Sequence, residues 1–263
     1  MVSRQRVMAV LLRHFYVLKN DFFHVFSDFY WPLFDVIIWG LTSLAFASQG
    51  DVSNMGGMVI LSLSLWESTH RANGSLFMGI TEEMRAQNII NLFASPLRFI
   101  EYLLGLSIFA FIKAVVVLIL CFVFSFIVFS APLNLLALSA IPLCVLIIFS
   151  GVIIGLLTIG ILIVTGQRAE SVGWITGWLF APFSGVFCPF EALPSVAQKI
   201  GLWIPTSYFF RIYWAMIRGQ VIDGMLWVKG ILLLMAYAFG AIFFLWFMFK
   251  RSKNNGLVRL HGD

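Results

Sequence analysis

The chain has 263 residues, 61% of them hydrophobic and 11% charged, with a net charge of +5 and a mean hydropathy of +0.97. A soluble domain carries roughly 25% charged residues, so this chain cannot cover itself with polar surface and belongs in a bilayer. A soluble enzyme is excluded. The basic excess speaks for orientation in the membrane and not for nucleic acid, because Lys and Arg concentrate in cytoplasmic loops.

Residues 1–28 open the chain. Val7, Leu11, Phe15, Leu18, Phe22 and Phe26 recur at steps of three and four, with Arg6, Arg13, Lys19 and Asp21 off that line. This is the pattern of a helix lying in the membrane interface, and equally of an ordinary amphipathic packing helix. The apolar run before Arg13, VMAVLL, is too short for a secretory signal, and no small-residue cleavage site follows it.

Six segments reach the roughly 20 residues a membrane helix needs: 29–47, 57–79, 103–129, 136–164, 172–190 and 226–249. Residues 48–56, rich in Gly, Ser, Asp and Asn, form a polar loop between the first two. After the second comes TEEMRAQNIINLFASPL, residues 81–97. Thr81 is placed to cap a helix, and Glu82 and Glu83 sit where the helix dipole favours negative charge. Ile89, Leu92 and Phe93 make an apolar face, and Pro96 ends the helix. A plain hairpin needs only a few polar residues. An amphipathic helix here wants a surface, either the membrane interface or a partner protein.

Residues 191–225 include an apolar stretch that tempts a seventh span. Charge argues against it. With six spans both termini share a side, and eleven of the seventeen basic residues fall on that side. Only Lys199, Arg211 and Arg218 lie opposite, with Arg71, Lys113 and Lys229 inside spans. The region then reads as an external re-entrant element, broken by Pro189, Pro194 and Pro205, with Trp203, Tyr208, Tyr213 and Trp214 suited to a headgroup-level belt. Residues 250–263 form a basic cytoplasmic tail.

No nucleotide-binding P-loop, HExxH, GxSxG or acidic metal cluster occurs, so no catalytic, cofactor or metal residues are assigned. Cys121, Cys144 and Cys188 are scattered in apolar stretches and read as small core residues. Four charged residues inside spans remain, Asp35, Glu67, Arg71 and Lys113. Such residues are costly and mark a polar pathway or a pairing. Glu67 and Arg71 stand in the favourable i, i+4 order, which fits either a route or gate or a self-neutralised pair. Asp35 can reach back to the interface, and Lys113 can pair with Asp35 or Glu67. Gly151/Gly155 and Gly173/Gly177 form GxxxG pairs, read as packing features with subunit association as the weaker possibility.

Three ordered stretches, YWPLFDVIIWG (30–40), EEMRAQNIINLFASPLRFIEYLLG (82–105) and SGVFCPFEALPSVAQKIGLWIPTSYFFRIYWAMIRG (184–219), resemble the ABC-2-type permease family, the transmembrane subunits of ATP-driven exporters. The resemblance covers nearly the whole chain. It implies a single all-α membrane domain over 1–263: six transmembrane helices, an N-terminal interfacial helix, a cytoplasmic coupling helix between spans 2 and 3, and external re-entrant helices between spans 5 and 6. It also implies a second permease copy (the same chain or a sister subunit) and a separate nucleotide-binding ATPase subunit, which holds the ATP and Mg. The expected location is a bacterial-type inner (plasma) membrane with both termini cytoplasmic. The coupling role falls on Glu82, Glu83, Met84, Arg85, Asn88, Ile89, Leu92 and Phe93, and closure of the outer end on the region of Pro189, Pro194, Pro205 and Tyr208. Glycans, lipid-linked and amphiphilic molecules are the substrates such scaffolds export. A stand-alone secondary transporter or channel is the alternative, disfavoured because no inverted repeat or paired broken helices are found.

Overall fold

The computed structural model describes residues 2–20, 22–47, 53–131, 140–166 and 170–254. Most of the 48–56 loop, Arg168, the start of the predicted fourth span at 136 and the tail beyond 254 lie outside the described residues. Eleven α-helices and one short 3-10 turn, Phe190–Ala192, make up the fold, with no strand among the described residues.

The longest helix organises the rest. The helix α3 (Ser53–Arg85) runs 33 residues, which is about 50 Å at 1.5 Å per residue, well beyond a ~30 Å hydrocarbon core. It is buried along most of its length despite carrying Ser62, Ser64, Glu67, Ser68, Thr69, His70, Arg71, Asn73 and Ser75. Around it pack α2 (Phe22–Ala47), α5 (Phe99–Phe129), α6 (Ile141–Thr165), α7 (Glu170–Leu179) and α10 (Pro205–Ile217). On the outside, α1 (Arg4–Asn20) lies on α5, and α11 (Gly224–Asn254) lies on α6 and α10.

Three helices, α5, α6 and α11, are long and apolar enough to cross a membrane. On α5, Ile108, Ile112, Val116, Ile119, Val123 and Phe126 are all exposed, in rows three and four apart. On α11 the same holds for Leu232, Met235, Phe239, Ile242 and Trp246. Apolar faces of this extent are rare on water-soluble monomers. They are the lipid-facing surface of a membrane protein.

Both glycine pairs turn toward α3. A Cβ on Gly155 would stand 2.7 Å from Leu76, and one on Gly173 would stand 2.7 Å from the Phe77 ring. Gly151 backs onto the main chain of Thr69, and Gly177 onto the imidazole of His70. The close approach lets polar groups meet: Thr69 Oγ1 donates to the Ile147 carbonyl at 3.0 Å, and Asn73 Nδ2 to that of Gly173 at 3.0 Å. Thr158 Oγ1 lies 3.2 Å from Asn73 Oδ1 and 2.8 Å from Thr176 Oγ1. These glycines serve packing within the chain.

Several expectations change. The segment 172–190 is not one continuous helix: α7 stops at Leu179, and α8 (Ala181–Ser184) follows with Pro182 in its first turn, ending at Gly185 in the left-handed conformation (φ 79°). Thr81 caps nothing. It lies inside α3, where its hydroxyl donates to the Phe77 carbonyl at 2.9 Å, and the helix runs on to Arg85. The short helix α4 (Ile89–Ala94) is separate, set off by a turn with Gln87 at φ 51°. The buried side of α1 is Val10 and His14, while Phe15 of the predicted stripe is exposed. Gly105 of α5 explains that choice, because any Cβ there would sit 2.7 Å from Val10.

The prolines do divide residues 189–217 as expected. Pro189 precedes the 3-10 turn, Pro194 precedes α9 (Ser195–Gly201), and Pro205 opens α10. The aromatic belt does not hold. Trp203 is exposed, but Tyr208, Tyr213 and Trp214 are buried anchors. Tyr213 donates to the Met58 carbonyl at 2.5 Å, Trp214 Nε1 to that of Gly185 at 2.8 Å, and Tyr208 to that of Leu202 at 3.0 Å. A buried ring with a polar tip needs a partner, and the first turns of α3 and the ends of α8 and α9 supply the carbonyls.

Gly151→Ala should lower the stability of the purified chain by roughly 1–3 kcal/mol through overpacking, read as thermal unfolding in lipid nanodiscs. Gly240→Ala, whose Cβ meets nothing within 4 Å, should leave it unchanged or slightly raised. Equal behaviour of the two variants would refute the packing role.

Candidate functional site

On α3 the positions Glu67, Arg71, Gly74, Ser75 and Met78 fall at helical spacing and form one wall of a cavity of about 480 Å³. Asp28, Trp31 and Asp35, at i, i+3 and i+7 on α2, form the opposite wall. Lys113 of α5 and Trp174 and Trp178 of α7 complete it. His70 is fixed beside it, its ring 5.8 Å from that of Trp174 and 5.4 Å from that of Trp178.

The four predicted intramembrane charges therefore do meet, but with different partners. Arg71 does not pair with Glu67; its Nη1 donates to Asp28 Oδ1 at 2.8 Å. Lys113 pairs with Asp28 as well, and not with Asp35 or Glu67. The carboxyl of Glu67 faces that of Asp35 within hydrogen-bonding reach, so Asp35 turns inward instead of to the interface. Glu67 is 2% exposed, and its Oε1 has no hydrogen-bond partner. The residue that sequence reasoning missed is Asp28, which carries both cations. Its signal was present: Asp28, Trp31 and Asp35 share one helix face.

A second cavity of about 260 Å³ shares Ser75, Met78 and Lys113 with the first and continues along α3 past His14 and Glu82 to Arg85. His14 is buried between the rings of Tyr102 and Phe109. That burial pushes its imidazole pKa down to about 4, against the opposing pull of Glu83.

The predicted coupling residues divide into two groups. Glu83 is 3% exposed and accepts hydrogen bonds from Arg13 at 2.6 Å and Asn88 Nδ2 at 2.8 Å. Met84 is 1% exposed. Glu82 lines the second cavity, and Arg85 pairs with Glu170 at the start of α7. These belong to the interior or to ion pairs that bind helices together. Asn88 and Leu92 are half-buried, Leu92 against the core; the side chains of Ile89 and Phe93 lie outside the described residues. What projects is the turn and α4, with Ala86, Gln87, Asn91, Ala94, Ser95 and Pro96 exposed. Below α4, Glu101 takes the N–H groups of Ser3 at 2.8 Å and Arg98 at 2.9 Å, with Arg6 at 3.2 Å.

Two consequences can be measured. Glu83→Ala should lower the thermal stability of the chain alone by about 1–3 kcal/mol, because it orphans the Asn88 amide and the Arg13 guanidinium; full retention of stability would return Glu83 to the surface. Asp28→Asn should cost about 3–5 kcal/mol by leaving two buried cations uncompensated. Adding Lys113→Met should recover part of that loss, and no recovery would argue against the shared pairing.

No protein-family model matches the chain. The chain is 34% identical over 84 residues to "Putative transport permease YvfS" of Bacillus subtilis (strain 168). The matched stretch covers 31% of this chain and 33% of that protein. The likeness is to part of a transport permease, in a chain whose exposed apolar helices make it a membrane protein.

Proposed function

We propose that this chain is the permease subunit of an ABC exporter, which forms the translocation pathway and takes its energy from a separate nucleotide-binding subunit. It crosses the membrane six times, through α2, α3, α5, α6, the broken pair α7–α8 and α11, with both termini cytoplasmic. It works with a second permease copy, and its cargo is a glycan, a lipid-linked or another amphiphilic molecule. The observation that carries this reading is the projecting α4. It is a six-residue helix hung between two long helices, with Asn91 and Ala94 exposed and Ser95 and Pro96 exposed just beyond it. The partial likeness to a transport permease supports it, as does the absence of a P-loop from the sequence. The docking surface is α4 with its preceding turn, while Glu83 and Met84 hold that surface in place from behind.

One specific observation favours a second reading, a single-chain secondary transporter or channel. Acidic and basic side chains meet at an interior cavity of about 480 Å³, and intramembrane charges of this kind mark ion and substrate routes.

Asn91→Arg and Ala94→Arg discriminate the two. Both sites are exposed, so stability should change by no more than about 0.5 kcal/mol, while co-purification of an ATPase and coupled ATP hydrolysis should be lost. Gradient-driven flux through the purified chain alone, untouched by these substitutions, would instead establish the second reading.

A further inference from the structure

The cavity between α2, α3 and α7 holds an acidic pair outside its ion pairs, and that pair points to its ligand. Five ionisable side chains of fixed sign line it: the carboxyls of Asp28, Asp35 and Glu67, and the bases Arg71 and Lys113. Asp28 engages both bases, so that group of three carries one surplus positive charge. Asp35 and Glu67 face each other with no base of their own, and the Glu67 Oε1 buried at the wall is without a partner. Two carboxyls within hydrogen-bonding reach hold a proton between them, so the five groups balance only while one positive charge, that proton or a cation in its place, sits at this pair. Buried charge is tolerated when it is paired.

Three tryptophans share the lining with Ser27, His70, Gly74, Ser75 and Met78. Trp31 and Trp174 stand at its edge, 55% and 43% exposed, and Trp178 lies deeper. Indole faces attract cations, and most strongly those with a weakly held hydration shell. A bare metal ion would need a tight shell of ligands, and no group of three His, Cys, Asp or Glu is placed to hold one among the described residues. About 480 Å³ is instead the size of a site for a drug-sized molecule. An anion would meet bases already engaged by Asp28 and would stand beside an acidic pair, and a neutral sugar would leave the pair's proton in place, whereas a cation can take its position.

We propose that this cavity is a binding site for a monovalent organic cation with an apolar body, its charge placed at Glu67 and Asp35 and its body against the tryptophans. The residues named all belong to this chain, and the proposal does not rest on the exporter reading.

The test uses a matched pair of probes on the full chain in nanodiscs of zwitterionic lipid: tetraphenylphosphonium, and tetraphenylborate of the same shape and opposite charge. The expected result is saturable binding of one tetraphenylphosphonium per chain, with tetraphenylborate at least tenfold weaker. Glu67→Gln should weaken the cation at least tenfold. Should that variant not fold, Asp35→Asn at the half-buried partner carboxyl gives the same reading. Gly74→Leu, at a wall position where a Cβ meets nothing within 4 Å, should block the cation by filling the cavity. Binding of the borate as tight as that of the phosphonium overturns the proposal, as does phosphonium affinity unchanged by the carboxyl and Gly74 variants, or no binding of the phosphonium at all. Loss of the proposal in this way leaves ATPase co-purification untouched, so the two readings fail separately.

Discussion

The structure depends on one constraint: α3 carries a polar interior face through an apolar bundle, and every group on that face needs a partner. A buried donor or acceptor left alone costs about 1–3 kcal/mol, and hydrocarbon offers none. The neighbours answer at several positions, while Glu67 Oε1 and Ser75 Oγ are left without a partner. Thr69 reaches a carbonyl of α6, Asn73 one of α7, and Ser62 the carbonyl of Val186 at 2.7 Å. Tyr102 of α5 approaches from the other side and donates to the Gly79 carbonyl at 3.1 Å. Those bonds form only at close range, and the glycines of α6 and α7 create that range. Polar satisfaction and glycine packing are thus two sides of one requirement.

Charge adds a second set of ties. Asp28 holds α2 to α3 through Arg71 and to α5 through Lys113, so those helices cannot separate without exposing unpaired charge. At the far end of α3 the ties are repeated: Arg13 joins α1 to Glu83, and Arg85 joins α7 through Glu170. One helix therefore has ionic links to three others, α1, α2 and α7, at two levels. Surface ion pairs contribute little, but Glu83 is buried and Asp28 nearly so, and a buried charge fixes where its partner must stand.

The sequence revealed the class of the fold because hydropathy runs directly report membrane helices. It also revealed the breaks at Pro189, Pro194 and Pro205, since proline acts locally. It did not reveal pairing. Glu67 and Arg71 satisfy the helical i, i+4 rule, yet Arg71 turns to Asp28, because a partner on another helix outcompetes one on its own and single-helix spacing cannot show it. Asp28 escaped notice because it was read as part of an interfacial helix, although its register with Trp31 and Asp35 placed all three on one face. The helix over 81–97 was placed too early for a related reason. Glu82 and Glu83 look like the acidic first turn of a new helix, but Arg13 holds Glu83 inside the end of the old one. Tyr213 and Trp214 carry the composition of an interfacial belt, and only the nearby carbonyls of Met58 and Gly185 decide that they are buried.

That continuity of α3 past Thr81 bears on how force could travel. Glu83 and Glu67 lie sixteen residues apart on one helix, about 24 Å along its axis. Under the proposed docking at α4, a load there would reach Glu83 through Asn88 and pass into α3, which is unbroken from Glu83 to Glu67. Glu67 would then move against Asp35, which belongs to α2. Among the described ion pairs, Asp28–Arg71 is what joins α2 to α3. A cation at Glu67 and Asp35 would change the electrostatics of that same joint, so under the two proposals cavity occupancy and motion of the α3 end would be coupled through a single pair of helix faces.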